Sequence, residues 1–281
     1  MFKSALPLSA SVAVPESQDY QDTEGYLICG KCHTRKQYEI CLNGRIQRVP
    51  VLCQCEVQQR KTQEEQERQA QKQRRIQQLR QNGVTDPSYL QYTFAHDDAR
   101  HPQISDVCRK YVSRWPEMYR ENIGILFYGS VGAGKTFYAC SIANALLDQG
   151  ICVLVTSFPR LLYRLQNSHE PNSKNILDRL NGYHLLVIDD LGVERDTSYA
   201  AEQVFHVIDA RARLGKPLII TTNLSLEDLK TPSTLPHARI YDRVLELCPI
   251  TLKMNQASRR AELAMHKQQI ARQLLREADG K

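Results

Sequence analysis

Gly129-Ser130-Val131-Gly132-Ala133-Gly134-Lys135-Thr136 follows directly on the apolar run Ile123-Gly124-Ile125-Leu126-Phe127-Tyr128, and this junction decides the fold. The run reads as a buried strand, and the glycines behind it let the backbone curl until successive N–H groups point at one place. A helix that starts where such a loop ends adds its own unpaired N-terminal amides to the same anion site. In that geometry Lys135 reaches the terminal phosphates of a nucleoside triphosphate and the Thr136 hydroxyl ligates Mg²⁺. The expected nucleotide-contacting set is Gly129, Gly132, Ala133, Gly134, Lys135, Thr136 and Phe137, with ATP as ligand.

Working outward, apolar runs recur at residues 151–156, 184–188, 218–222 and 249–252, with helical periodicity at 138–147 and 201–214. Alternation of this kind predicts an α/β domain, a parallel sheet with helices on both faces. The run Leu185-Leu186-Val187-Ile188-Asp189-Asp190 ends in two carboxylates. A strand parallel to the first delivers Asp189 beside Thr136, where it holds Mg²⁺ through the ion's water shell. Asp190 is then placed to orient or deprotonate an attacking water. The next strand ends in Thr221-Thr222-Asn223 at the edge where open α/β sheets bind ligands. There Asn223 can hold the same water, although a strand-end asparagine taken alone is more often a turn residue.

The chain of 281 residues holds one sizeable domain plus an appendage, and its 42% hydrophobic content leaves part of it solvated. A net charge of +6 permits a polyanionic partner without requiring one. No apolar stretch approaches the roughly 20 residues that span a bilayer, and Met1-Phe2-Lys3-Ser4-Ala5-Leu6-Pro7-Leu8 makes a poor signal peptide, so a cytoplasmic protein without membrane contact is expected. Residues 1–24, rich in Ser, Pro and Gln, read as disordered. Residues 57–83 are almost entirely Gln, Glu, Lys and Arg and read as a polar helical linker that Gly83 stops. Val57, Ile76 and Leu79 are too few for a coiled-coil seam, which leaves a solvated connecting helix or an arm tracking nucleic acid. Residues 84–281 form the nucleotide-binding domain, closed by a basic amphipathic helix at 258–278 with Leu263, Ile270, Leu274 and Leu275 on one side.

Nine cysteines in a reducing compartment read as thiols or metal ligands. Cys29-Gly30-Lys31-Cys32 and Cys53-Gln54-Cys55 can close tetrahedrally on Zn²⁺, although the second pair is tighter than usual; His33 and Cys41 are spare ligands. A redox dithiol at Cys29 and Cys32 lacks the βαβ surroundings such a site uses. The module at residues 25–56 is small enough that metal binding supplies most of its folding free energy. Cys108, Cys140, Cys152 and Cys248 sit in apolar contexts and read as packing residues.

The phosphate loop, Asp189-Asp190-Leu191-Gly192, Glu194-Arg195-Asp196, Gly215-Lys216-Pro217, Thr221-Thr222-Asn223 and Ala238-Arg239-Ile240-Tyr241-Asp242-Arg243 together resemble the DnaC/DnaI helicase loaders over residues 83–260. The IstB-type transposition ATPases belong to the same AAA+ clade. The resemblance implies an AAA+ P-loop ATPase in which Asn223 is sensor 1 and Arg243, or else Arg239, is an arginine finger offered to a neighbouring subunit. It implies hydrolysis within a spiral or ring-like oligomer, slow without DNA or partner. Sensor 2 falls in Ala257-Ser258-Arg259-Arg260, at Arg260 or Arg259, because the text departs from the family's Ser-Tyr-Arg triplet. Arg160 and Arg164 are candidates for single-stranded DNA contact, or simply face water.

By the same resemblance, residues 25–56 recognise a DnaB-type replicative helicase, which the protein delivers to single-stranded DNA for a phage, prophage or bacterial replicon. A free-standing zinc ribbon would instead set Lys31, Arg35, Lys36, Arg45 and Arg48 against nucleic acid. The alternative within the clade is an IstB-like helper that recruits a transposase to target DNA. A small-molecule kinase would need a basic lid that is missing, and a non-hydrolysing zinc adaptor would leave Lys135 without a task.

Overall fold

The computed structural model describes residues 18–167, 178–192, 197–256 and 258–278. The disorder expected at the N-terminus falls outside these as far as residue 17, as do Glu194, Arg195, Asp196 and Ala257. The chain divides into two compact units between Gln73 and Arg74.

In the first unit, strands β1 (Tyr20–Gln21) and β2 (Leu27–Ile28) pair antiparallel. Strands β3 (Gln37–Leu42) and β4 (Arg45–Pro50) form a hairpin. Its turn is Asn43-Gly44 with φ of +52° and +74°, the left-handed pair whose twist matches a two-residue hairpin. Helix α1 (Gln54–Gly83) starts earlier than expected, so that Cys55 sits in its first turn. Its residues in this unit are exposed apart from the first few.

The second unit takes up α1 at Arg74 and buries Ile76 and Gly83. After it come two 3₁₀ turns (Pro87–Gln91 and Phe94–His96), then α2 (Pro102–Ser113) and α3 (Trp115–Arg120). The alternating part comprises β5 (Ile125–Gly129), α4 (Lys135–Asp148), β6 (Val153–Ser157), α5 (Phe158–Asn167), β7 (Leu185–Leu191), α6 (Ser198–Arg213) and β8 (Leu218–Thr222). It closes with α7 (Leu226–Lys230), α8 (Leu235–Leu247), β9 (Ile250–Met254) and α9 (Arg259–Ala278). The five strands run parallel in the order β6-β7-β8-β5-β9.

Strand alternation sorts the core into two layers. Ile125, Phe127, Val153, Val155, Leu185 and Val187 pack with α2 and α4, while Leu126, Leu154, Leu186, Ile188, Leu218 and Ile220 pack with α6 and α8. This is the expected parallel sheet with helices on both faces.

Two strand ends moved for physical reasons. Strand β7 does not stop at its carboxylates but runs on to Leu191, because its register with β8 shifts between Ile188 and Leu191. Strand β9 extends past residue 252 to Met254, whose carbonyl accepts from Ser130 N at 2.9 Å. On α9, Leu263, Ile270 and Leu275 are exposed rather than packed, and the side chain of Leu274 lies outside the described set. No helix among the described residues is long and apolar enough to cross a membrane.

Candidate nucleotide and metal sites

The loop leaves β5 and closes at Gly134, which caps α4 with φ +99° and no side-chain hydrogen bond, so the first amides of α4 stay open. Only glycine adopts that backbone without strain. A side chain at Gly132 would meet the Ser258 hydroxyl at 2.1 Å, which shows how closely the start of α9 covers the loop. The Arg259 amide donates to the Gly132 carbonyl at 3.1 Å. Together these elements frame a cleft of about 270 Å³ whose walls include Tyr92, Lys135, Thr136, Phe137, Asp190, Asn223, Arg259 and Arg260.

Lys135 is turned back on its own loop. Its Nζ donates to the carbonyls of Gly129 (2.9 Å) and Ser130 (2.7 Å) and to Asn223 Oδ1 (2.8 Å). Burial holds its pKa below the ordinary lysine value, against the pull of Asp190 and Asp189. The Thr136 hydroxyl donates to Asp189 Oδ1 at 2.8 Å. The Thr221 hydroxyl donates to the same oxygen at 2.6 Å, and the Tyr89 hydroxyl to Oδ2 at 3.2 Å. A hydroxyl and a carboxylate side by side are hard oxygen donors, a set that fits Mg²⁺.

Asp190 follows with φ +58°, at the point where the register shifts, and its amide donates to the Thr221 hydroxyl at 2.9 Å. The kink turns Asp190 into the cleft while Asp189 stays buried behind Thr136. Burial, then the Asp189 charge, raise the Asp190 pKa above the usual carboxylate value, with Lys135 and Arg260 opposing.

The two candidate arginines at the start of α9 separate. Arg259 is engaged by Asp98 at 2.8 Å and lies 5.4 Å from the Phe137 ring centroid. Both line the cleft, but it is the Arg260 charge that is felt at both Lys135 and Asp190. Arg243 lies outside the cleft, on α8, paired with Glu246 at 2.6 Å and Asp209 at 3.5 Å. Arg239 lies over the Phe205 ring at 4.3 Å. Arg160 is drawn to Asp86 (2.8 Å) and the Thr85 hydroxyl (3.1 Å).

Sequence reasoning missed Tyr89, Tyr92 and the Ser258 cover. No local pattern marks them, since each reaches the site from a distant segment.

In the first unit the Sγ atoms of Cys29, Cys32, Cys53 and Cys55 all lie within 4.8 Å of one another, with 3.5 Å from Cys29 to Cys55 and 3.1 Å from Cys53 to Cys55. Tetrahedral Zn–S bonds of about 2.3 Å put sulfurs roughly 3.8 Å apart, so four thiolates gathered this way fit zinc. The short Cys53/Cys55 spacing closes because Cys55 rises on the first turn of α1. Cys41 is exposed on β3, and His33 Nδ1 faces the Tyr20 hydroxyl at 3.1 Å, so neither spare joins the cluster. Lys36 is buried between Asp19 and Glu56, each at 2.9 Å, which takes it out of any nucleic-acid face. Arg35 and Arg48 each lie against the Tyr26 ring.

Among proteins of known role, the chain is 27% identical over 195 residues to the replicative helicase loader DnaI of Bacillus subtilis (strain 168), covering 63% of each. It is 28% identical over 140 residues to the replicative helicase loader DnaC of Escherichia coli (strain K12), covering 48% of this chain and 54% of that one. It therefore spans less than two thirds of the length of either relative. The crystal structure of DnaI superposes with a TM-score of 0.52 at 23% identity, covering 63% of this chain and 95% of that one. That of the DnaC helicase loader gives 0.50 at 24%, covering 60% and 99%. These likenesses concern the fold. The pattern described as "IstB-like ATP binding protein" matches residues 48–266, well over half the sequence, and the chain belongs to that family of ATP-binding proteins.

Proposed function

We propose that this protein is an ATP-dependent helicase loader that binds a DnaB-type replicative helicase and delivers it onto single-stranded DNA at replication initiation, in the cytoplasm. The observation that carries the reading is Lys135 bridging its loop to Asn223 beside the Thr136–Asp189 pair, in a chain whose relatives are named replicative helicase loaders.

The chemistry follows from the residues in hand. The open amides at the start of α4 receive the phosphates, and Lys135 exchanges its loop carbonyls for terminal phosphate oxygens. Thr136 and, through water, Asp189 would hold Mg²⁺, which would neutralise phosphate charge there. Asn223 orients the attacking water, and Asp190 accepts its proton, a task eased by the carboxylate's raised pKa. Arg260 from the same chain and Arg243 from a neighbouring protomer of a spiral or ring offset the charge of the transition state. The zinc-holding module at residues 25–56 grips the helicase, and ATP state switches the grip on DNA.

Loading of the host's replicative helicase onto circular single-stranded DNA tests this directly. Wild-type protein with ATP should load the helicase and Lys135→Ala should not. A second reading, recruitment of a transposase to target DNA, is favoured by the family description alone. Affinity capture that recovers a transposase and no helicase decides for it.

A further inference from the structure

Between the end of α1 and the cleft the chain is laid down as a fixed strap. Val84 bridges to Val155 in parallel register, and the Thr85 hydroxyl donates to the Val155 carbonyl at 2.9 Å. Asp86 caps the Pro87–Gln91 turn by accepting from Ser88 N at 3.0 Å and is itself held by Arg160 at 2.8 Å. Asn144 of α4 donates to the carbonyls of both Tyr89 and Tyr92 at 2.8 Å. The turn is thus pinned at three points, and what it presents is the Tyr89 hydroxyl, 3.2 Å from Asp189 Oδ2.

That contact completes the setting of the carboxylate. Oδ1 receives Thr136 and Thr221, and Oδ2 receives Tyr89. Thr136 is itself read as a magnesium ligand, and Thr221 belongs to a sheet strand. Tyr89 is the member of the three that comes from a segment outside both the phosphate loop and the sheet. Its ring stands 5.9 Å from that of Tyr92, which lines the cleft.

We infer that Tyr89 is a positioning residue for Asp189, fixing the orientation of the magnesium-facing carboxylate and making it answer to the segment that continues from α1. The inference rests on the reading of Asp189 as the carboxylate that holds Mg²⁺ through water. Partners of metal-binding carboxylates have effects of this kind, because a ligand free to rotate must be ordered again each time the ion binds.

The test is the magnesium dependence of nucleotide binding, read with a fluorescent ATP analogue titrated with and without Mg²⁺. Tyr89→Phe keeps the ring and removes only the hydroxyl. Its affinity without Mg²⁺ should equal that of the wild type, which also reports that the variant is folded, while the Mg²⁺ concentration giving half of the maximal affinity gain should rise about tenfold. An unchanged Mg²⁺ midpoint, or an equal loss of affinity with and without the ion, overturns the assignment. Asp189→Asn is measured alongside. If it leaves the Mg²⁺ midpoint where it was, the reading of Asp189 itself fails. If it moves the midpoint and Tyr89→Phe does not, only Tyr89 loses its role.

Discussion

Lys135 Nζ donates to Asn223 Oδ1 at 2.8 Å, so the cation proposed to meet the phosphates and the amide proposed to orient the water hold each other. Both groups therefore sit together at the edge of the sheet, beside the phosphate loop. Removing the amide leaves Lys135 its two loop carbonyls, so nucleotide should still bind. Asn223→Ala is expected to keep ATP affinity within about threefold and to lower turnover by roughly a hundredfold, the loss seen when one preorganised donor is deleted. Steady-state hydrolysis beside equilibrium nucleotide binding checks the split; a variant that loses affinity and not turnover would contradict it.

Asp190 is half-buried, with a folded-state pKa raised above the carboxylate's ordinary value. A group raised on folding stabilises the protein below its unfolded pKa, and that contribution is lost as pH rises through the folded value. At neutral pH the ionised carboxylate is therefore a net cost, which Asp190→Asn removes while keeping a residue that tolerates φ +58°. The variant should melt higher than wild type at pH 7.5, with the difference closing as pH falls through the acid range, and should hydrolyse ATP at under about a hundredth of the wild-type rate. A lower melting temperature at pH 7.5 would sink this account.

How much of this was readable in advance varies from residue to residue. The phosphate loop and the strand-borne Asp189 rest on local spacing, and a parallel sheet carries that spacing into space, so Thr136 and Asp189 meet as expected. Asn43-Gly44 is a hairpin signal of the same local kind, a two-residue turn between paired strands. Tyr89 and Arg211 were illegible for another reason. One reaches across 100 positions to Asp189, and the other looks like any arginine near the end of a solvated helix. Contacts made by irregular turns have no periodicity to read.

Arg211 is fully buried and donates to the carbonyls of Tyr183 (2.8 Å), His184 (3.0 Å) and Pro217 (2.8 Å), tying the lead-in of β7 to that of β8. Burial lowers its pKa to about 10, so it stays charged at neutral pH. Arg211→Leu fills similar space but removes the guanidinium donors from the Tyr183 and His184 carbonyls and leaves Pro217 only Leu186 N at 3.4 Å. A loss of about 3 kcal/mol is expected from several charge-assisted bonds broken at once. Thermal unfolding followed through buried Trp115, the single tryptophan, measures it. A loss under about 1 kcal/mol would mean that water replaces the guanidinium.

Arg243 sits outside its own cleft and pairs only with exposed Glu246 and the Asp209 carboxylate among the described ion pairs, so the finger role proposed for it would be exercised in trans. Arg243→Ala should hydrolyse ATP at least about a hundredfold more slowly than wild type, with ATP affinity retained. Mixing it with Lys135→Ala supplies an intact site from one protomer and an intact finger from the next. The mixture should therefore recover activity that neither variant has alone. A mixture as inactive as its parts, under conditions where wild type assembles, would exclude the finger.

The zinc module allows the cleanest separation of the two units. Among the described residues its buried apolar side chains are few, chiefly Leu27 and Ile28 beside the buried thiols Cys29 and Cys53, so a metal held by the four sulfurs would supply much of its folding free energy. Freshly purified protein should carry about one zinc per chain. Removing it with a strong chelator should abolish helicase capture, while Trp115 fluorescence and ATP binding by the second unit persist. Cys55→Ser tests the tight spacing, because Cys55 is placed by the first turn of α1. Zinc content should then fall below half an equivalent, whereas Cys41→Ser, on the exposed face of β3, should leave it unchanged. If Cys55→Ser retains full zinc, a different fourth ligand closes the site.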